Sequence, residues 1–229
     1  KDIGIHIELN QSVEQVEKMD QGYIVKTNDK QEFHADLVVH GAGRIPNISR
    51  LQLDNAEISY SKRGIDVNEK MQNPQNQNVY AIGDVANSHL PLTPVAGAEG
   101  KRLLSVLIKD DILKTDFPAI PSVVFTIPPL AMVGLTEDEA KRKDISYKIR
   151  FQDTSTWLSS KRIGLKHSGF KILINEENNQ IIGAHLFGHH AEEIINLFSL
   201  FISKNMPINE IKQLIWAYPT STYEINYML

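Results

Sequence analysis

Two groups that could bind a cofactor lie close together between residues 79 and 104. Asp84 follows an apolar run, Val79–Ile82, which is typical of a buried parallel strand. Thr93 and Pro94 are suited to the N-cap and first turn of a helix. A strand that leads into such a helix places the carboxylate and the helix N-terminus at one edge of a sheet. That edge is where cofactors bind in open α/β sheets, and the N-terminus favours an electron-rich group.

The complete stretch resembles the second flavin-binding motif of the two-dinucleotide-domain disulfide reductases, which include glutathione reductase, dihydrolipoamide dehydrogenase and mercuric reductase. The residues that match are Gly83, Asp84, Leu92, Thr93, Pro94, Val95 and Ala96. An isolated Gly-Asp pair is more often an ordinary turn, so the interpretation depends on the full string. The resemblance implies that Asp84 binds the ribityl hydroxyls of FAD. Gly83, Leu92, Thr93 and Ala96 complete the predicted cofactor-binding set.

The composition is that of a soluble globular protein. The 229 residues suffice for one large or two modest domains, with 41% hydrophobic and 23% charged residues. A net charge of −4 gives no basic field for nucleic acid or an acidic membrane, so neither partner is expected. No apolar run approaches the roughly 20 residues that cross a bilayer. The beginning of the sequence lacks the apolar region of a signal peptide, and the predicted location is cytoplasmic.

Cysteine is absent from the chain. This excludes disulfides, thiolate metal sites and thiol catalysis within these residues. In the family that the flavin motif resembles, the redox cysteine pair lies in the N-terminal half, beside the first GxGxxG fingerprint. No GxGxxG occurs here for either FAD or NAD(P)H. We therefore expect a C-terminal portion of a longer enzyme that uses both cofactors.

Three regions are predicted along the chain. Residues 1–35 contain strand-like segments at 3–9, 22–27 and 31–34, and they resemble the closing strands of the family's NAD(P)H-binding domain. The alternative is a free-standing three-stranded sheet. Residues 36–117 resemble the C-terminal part of the FAD-binding domain: the chain re-enters it through a segment similar to D-x-V-x-x-A-x-G-R-x-P-N, and a strand at 64–67 and a helix from Pro94 to about Lys109 follow, ending at Asp110-Asp111.

Residues 118–229 resemble the family's interface domain, which implies a homodimer formed through this region. A linker is predicted at 117–121. Strands are predicted at 123–126, 132–135, 147–151, 169–175 and 180–187, with helices after a capping box at Thr136 and at 191–205 and 208–216. The predicted fold class is α/β plus α+β: the second half of an FAD-binding Rossmann-like domain, then an α+β dimerisation domain with an antiparallel sheet.

The tail carries the candidate catalytic residues. Disulfide-reducing members of the family have H-P-T-x-x-E here, and the histidine is the acid–base for the partner subunit's active site. In this chain Tyr218 takes the place of the histidine, Tyr223 that of the glutamate, and Glu224 follows one residue late. A phenol with a pKa of about 10 is a poor base at neutral pH, though it can donate a hydrogen bond. Tyr218 and Glu224 are the candidates; the alternative is that both tyrosines are interface packing residues.

The other histidines do not indicate a metal site. His185, His189 and His190 are near one another in sequence but lack further strong ligands, so no metal is predicted. The leading hypothesis is a C-terminal portion of an FAD- and NAD(P)H-dependent disulfide oxidoreductase that acts on a small molecule or a disulfide. The alternatives are a catalytically inert dimerisation module and a parent flavoprotein with a non-disulfide acceptor, mercuric reductase-like or other. Mercuric reductases end in a cysteine pair, which residues 227–229 lack.

Overall fold

The chain divides into two compact units, Lys1–Pro46 and Asn47–Leu229, in a computed structural model that describes residues 3–109, 117 and 119–229. The predicted helix end at Asp110-Asp111 and Pro118 of the predicted linker lie outside the described residues. None of the helices in the described part is both long and apolar enough to cross a membrane.

The first unit contains a three-stranded antiparallel sheet. Its strands follow one another in space as in sequence: β1 (Val13–Lys18), β2 (Tyr23–Thr27) and β3 (Glu32–Ala35). The predictions of β2 and β3 are confirmed, whereas β1 was not predicted. The strand predicted at 3–9 is wrong, since these residues are irregular and their apolar side chains are exposed. An alternating pattern produces a strand only where a neighbour satisfies the backbone hydrogen bonds.

The second unit begins with a small sheet in which β5 pairs with both neighbours. Its strands are β4 (Tyr60–Ser61), β5 (Gly64–Asp66) and β6 (Ala86–Asn87), and β5 runs parallel to β6. The strand predicted at Val79–Ile82 is wrong: within it, only Tyr80 forms an isolated bridge, to Gln72. A buried parallel strand needs partners on both sides, and the described residues around this run supply one bridge.

Helix α1 (Thr93–Lys109) follows and confirms the predicted helix. It begins at Thr93 itself, so the predicted N-cap role of Thr93 is wrong by one residue. The Leu92 carbonyl accepts the first intrahelical hydrogen bond, from the Ala96 N–H at 3.0 Å. Val95 and Glu99 lie one turn apart on the buried face of the helix.

The remaining residues form a five-stranded antiparallel sheet with helices, which confirms the predicted α+β layer. The strands, in the spatial order β7-β8-β11-β10-β9, are β7 (Ser122–Val124), β8 (Leu130–Gly134), β9 (Tyr147–Asp153), β10 (Gly169–Asn175) and β11 (Ile181–Phe187). The helices are α2 (Glu137–Arg142), α3 (Leu158–Arg162), α4 (Ala191–Ser203), α5 (Ile208–Ile211) and α6 (Ile225–Met228). Helix α5 is shorter than predicted, and α3 and α6 were not predicted.

The core of this region lies between the sheet and α4. The helix buries Ile195, Phe198 and Phe201 on the face that its 3.6-residue period predicts. Ile225, Met228 and Leu229 are buried in the same core, so the tail of the chain is part of the domain's interior.

Two residues, Leu135 and Thr136, link β8 to α2, and each is held by a specific contact. The predicted capping box is present, with the Thr136 hydroxyl accepting the Glu139 N–H at 3.3 Å and the Glu139 carboxylate accepting the Thr136 N–H at 2.8 Å. Gly183 on β11 lies directly against this link, because a Cβ at that position would stand 2.1 Å from the Leu135 carbonyl oxygen. A side chain is therefore excluded at Gly183.

Candidate functional site

The Gly83–Asp84 turn packs against the first turn of α1. Residues Gly83–Val85 form one turn of 3-10 helix, and Gly83 has a φ of 70°. A Cβ at Gly83 would lie 3.3 Å from the Cβ of Ala96, which leaves little room for any side chain. Asp84 is exposed beside this contact. The structure thus brings together Gly83, Asp84 and Ala96 from the predicted cofactor-binding set.

The start of α1 leaves a strip of backbone open beside this turn. Thr93 and Gly97 are exposed, and a Cβ at Gly97 would meet no atom within 4 Å. Leu92 is half-buried and is held by its own N–H, which donates to the Leu90 carbonyl at 2.8 Å. The N-terminus of a 17-residue helix attracts electron-rich groups, and a carboxylate accepts hydrogen bonds from hydroxyls. This surface suits a ligand that carries both an electron-rich group and hydroxyl groups.

A buried glutamate that sequence reasoning missed holds the turn in place. Glu99 has no exposed surface, and its carboxylate accepts the Gly83 N–H at 2.7 Å and the Ser88 hydroxyl at 2.5 Å. The same carboxylate lies 3.3 Å from Nδ1 of His89. The available signal was its position four residues after Val95, on the buried face of α1. Glu99 therefore connects the segment 83–89 to the helix.

The two candidate catalytic residues, Tyr218 and Glu224, interact with different neighbours within the chain. The ring of Tyr218 lies edge-to-face with that of Tyr223, with the centroids 5.0 Å apart. Glu224 accepts hydrogen bonds from the hydroxyl and backbone N–H of Ser159, the second residue of α3. Burial raises the pKa of Glu224, and the hydrogen bonds from Ser159 oppose that rise. The structure pairs Tyr218 with a phenol and Glu224 with α3.

Both residues line a cavity of about 690 Å³ between β9, α3 and the tail. Such a volume is within the range of about 300–1,000 Å³ that small-molecule sites occupy. Its wall is aromatic and basic, with Trp157 and Arg162 contributed by the region of α3. Sequence reasoning did not identify Trp157 or Arg162 because α3 itself was not predicted.

The three histidines considered as metal ligands, His185, His189 and His190, contact the backbone or one another. Nε2 of His185 lies 3.2 Å from the Leu135 carbonyl oxygen, and burial lowers the pKa of His185. The rings of His189 and His190 lie 3.6 Å apart. Across the described part of the chain, no three His, Cys, Asp or Glu side chains are grouped so as to hold a metal ion.

Two family models identify the class of protein to which this chain belongs. Residues 1–100 match the family model described as pyridine nucleotide-disulphide oxidoreductase. Residues 120–229 match the dimerisation domain of the same family. The chain belongs to the pyridine nucleotide-disulphide oxidoreductase family, as the sequence motifs predicted.

Relatives of different lengths match this chain. The chain is 42% identical over 180 residues to an uncharacterized 19.7 kDa protein in a mercuric resistance operon of Staphylococcus aureus, covering 78% of this chain and 100% of that protein. It is 32% identical over 226 residues to trypanothione reductase of Leishmania donovani, covering 97% and 45%. It is 32% identical over 227 residues to the chloroplastic/mitochondrial glutathione reductase of Pisum sativum, covering 96% and 40%. The chain thus spans less than half the length of either reductase.

Solved structures share the fold. LpdA of Mycobacterium tuberculosis matches with a TM-score of 0.85 at 21% identity, over 99% of this chain and 49% of that one. The HOCl-induced flavoprotein disulfide reductase RclA of Escherichia coli matches with a TM-score of 0.85 at 21% identity, over 99% and 52%. The predicted fold class is confirmed.

Proposed function

We propose that this chain supplies the second half of an FAD site and the homodimer interface of an FAD- and NAD(P)H-dependent oxidoreductase. In that enzyme, reducing equivalents pass from NAD(P)H through the flavin to a disulfide or another small-molecule acceptor. Residues 1–35 would close the NAD(P)H-binding domain, residues 36–117 would complete the FAD-binding domain, and residues 118–229 would form the dimer. The proposed location is the cytoplasm.

The observation that carries the FAD proposal is the contact between the Gly83–Asp84 turn and the open start of α1. FAD fits this surface because its side chain offers hydroxyls to the Asp84 carboxylate and its ring offers an electron-rich edge to the helix N-terminus. Gly83, Leu92, Thr93 and Ala96 would shape the backbone around the cofactor. Bound FAD would supply the redox chemistry, and these residues would bind and orient it.

The dimer proposal is supported by an apolar sheet edge. Strand β9 is the last strand of the five-stranded sheet, and Ile149 and Phe151, on one face of it, are 43% and 72% exposed. An exposed apolar edge strand favours pairing with another chain. The match of residues 120–229 to a dimerisation domain supports the same conclusion. Tyr218 and Glu224 would then be presented to the site of the partner subunit.

Light scattering of the purified chain, recorded together with its absorbance spectrum, tests both parts. We expect a dimer for the wild-type chain and a monomer for Phe151→Asp. Phe125→Asp is the matched control, because Phe125 is as exposed but follows β7 at the opposite edge of the sheet. A monomeric wild-type chain would refute the interface. A yellow dimer would mean that these residues suffice to hold flavin; added FAD that leaves the protein colourless would place the affinity in the other half of the site.

A second candidate is a parent flavoprotein that reduces a non-disulfide acceptor. It is supported by Tyr218, which replaces the acid–base histidine of disulfide reduction, and by the relative in a mercuric resistance operon. The full-length parent would then oxidise NAD(P)H in the presence of Hg²⁺ but not of glutathione disulfide. The reverse result would favour the disulfide reductase. If neither acceptor is reduced and the chain still dimerises, the inert dimerisation module is the remaining interpretation.

A further inference from the structure

Phe117, which lies between α1 and β7 in the sequence, packs against the part of the chain that carries the candidate cofactor-binding turn. The centroids of its ring and of the His89 ring are 4.3 Å apart, at an interplanar angle of 43°. The guanidinium carbon of Arg102, a buried residue of α1, lies 5.1 Å from the centroid of the same phenyl ring. Because an aromatic face attracts a cation, the Phe117 ring is held by both neighbours.

His89 connects the Phe117 ring to the carboxylate that holds the Gly83–Asp84 turn. Nδ1 of His89 is 3.3 Å from Oε1 of Glu99, and Oε2 of the same carboxylate accepts the Gly83 N–H at 2.7 Å. A carboxylate only accepts hydrogen bonds, so this contact places a hydrogen on Nδ1 of the imidazole. The side chain of His89 is 34% exposed, whereas that of Glu99 is 1% exposed. His89 therefore lies between the buried carboxylate and solvent.

The segment that carries Phe117 is also attached to the dimerisation domain. Two residues further on, the Ala119 carbonyl oxygen accepts the hydroxyl of Ser199, in the middle of α4, at 2.9 Å. Ala119 itself packs against the core between the sheet and α4. Since two residues of chain span about 7 Å at most, this attachment keeps Phe117 near α1 and His89.

We infer that Phe117 is a positioning residue for the cofactor-binding turn and acts through His89 and Glu99. With the ring in place, the imidazole is held against the Glu99 carboxylate, which keeps its hydrogen bond to Gly83. The turn in turn keeps Asp84 beside the start of α1. Without the ring, the imidazole moves into solvent, and water competes for the carboxylate oxygens that hold Gly83. That the turn binds FAD rests on the proposed function; that Phe117 positions it does not.

Hydrogen–deuterium exchange of the Gly83 amide in the purified chain tests the inference without any flavin. The amide of Asn73 is the internal reference, because it donates to the Val79 carbonyl at 2.8 Å, away from these contacts. Phe117→Ala should raise the exchange rate of Gly83 relative to that of Asn73 about tenfold, as expected for the loss of one hydrogen bond. His89→Ala should have the same effect. The double variant should resemble either single variant, because both substitutions act on one carboxylate.

Two further variants serve as controls. Phe117→Tyr retains the ring and should leave the Gly83 rate within about twofold of wild type. Phe125→Ala removes a ring that is 81% exposed and should change neither amide. The inference is overturned if Phe117→Ala leaves the Gly83 rate unchanged, or if the Gly83 and Asn73 rates rise equally, which indicates a general loss of stability. It is also overturned if the effects of Phe117→Ala and His89→Ala multiply in the double variant.

Titration of the full-length parent with FAD separates this inference from the proposed function. Phe117→Ala should weaken FAD binding about tenfold, and Phe117→Tyr should restore it. A parent that binds no FAD refutes the proposed function, and the Gly83 exchange rates then decide the inference. A parent that binds FAD equally well with and without Phe117→Ala overturns the inference and leaves the proposed function intact.

Discussion

The backbone N–H of Gly83 donates to the fully buried carboxylate of Glu99 at 2.7 Å. This bond joins the turn that carries Asp84 to the helix whose start lies beside it. The other carboxylate oxygen accepts the hydroxyl of Ser88, so one side chain satisfies two donors of the same segment. The position of the candidate cofactor-binding turn therefore depends on a residue that would not itself touch the cofactor.

Removal of the Glu99 carboxylate is expected to be costly. Glu99→Ala leaves the Gly83 N–H and the Ser88 hydroxyl without their acceptor in a buried place, which should lower the free energy of unfolding by about 2–3 kcal/mol. Glu99→Gln retains an acceptor and should lose about 1 kcal/mol. Urea unfolding measures both, with the exposed Glu69→Ala as the control, expected within about 0.5 kcal/mol of wild type. An Ala variant as stable as the control would contradict this role.

The stability of the tail should depend on pH through Glu224. Burial raises its pKa in the folded chain above the ordinary value of 4.5, so the folded state binds this proton more tightly than the unfolded state. The stabilisation is full below pH 4.5 and is lost as the pH rises through the folded pKa. Glu224→Gln, which cannot ionise, should therefore gain stability relative to wild type between pH 4 and pH 7. Thermal unfolding across this range measures it.

Exposed Glu177→Gln provides the reference for that pH series. The difference between Glu177→Gln and wild type should stay constant from pH 4 to pH 7. A Glu224→Gln variant that loses stability relative to wild type as the pH rises would mean that the hydrogen bonds from Ser159 outweigh burial.

A methyl group at Gly183 should disrupt the five-stranded antiparallel sheet. Its Cβ would lie 2.1 Å from the Leu135 carbonyl oxygen, and backbone cannot move aside as a flexible side chain can. We expect Gly183→Ala to lower the free energy of unfolding by about 3 kcal/mol. Gly97→Ala is a control of opposite sign, because that helical position is open and alanine should add about 0.5–1 kcal/mol. Equal effects of the two substitutions in denaturant unfolding would refute the steric argument.

The contribution of the Thr136–Glu139 capping box to the free energy of unfolding should depend on pH. Thr136→Ala should cost about 1 kcal/mol at pH 7. Hydrogen bonds from the backbone and side chain of Thr136 lower the pKa of Glu139 below 4.5, so their stabilisation is present above pH 4.5 and is lost as the pH falls through the folded pKa. The cost of Thr136→Ala should therefore shrink at pH 3, as thermal unfolding would reveal. Thr156→Ala, at an exposed residue, is the control; a cost that grows on acidification would be inconsistent with the box.

Sequence patterns predicted the five-stranded sheet well because several of its strands form their backbone hydrogen bonds with strands that are near them in the sequence. Strands β9, β10 and β11 are consecutive antiparallel neighbours, and α4 covers them with the face that its periodicity predicts. The strand prediction for Val79–Ile82 was wrong for the opposite reason. Its pattern describes a strand with two neighbours, and the described residues provide one isolated bridge at Tyr80. A propensity for strand cannot replace the hydrogen-bonding partner.

The candidate site was predicted in part for a similar reason. Gly83, Asp84 and Ala96 were identifiable because the motif that contains them is continuous in sequence. Glu99 was missed, since its position four residues after Val95 indicates a buried side chain but does not indicate which loop donors its carboxylate accepts. The aromatic wall was missed as well: Trp157 and Tyr227 are far apart in the chain and meet only when α3 and the tail fold together.

The burial of Ile225, Met228 and Leu229 in the core of the dimerisation domain has a consequence for synthesis on the ribosome. The core shared by β8 and α4 cannot close until residues 225–229 have left the exit tunnel. The hairpins β1–β3 are complete long before that point, because all of their contacts are local. In the interval between the emergence of β11 and that of residues 225–229, the growing chain therefore carries a finished small sheet and a larger sheet whose core is incomplete. Nascent-chain chaperones have most reason to bind in that interval.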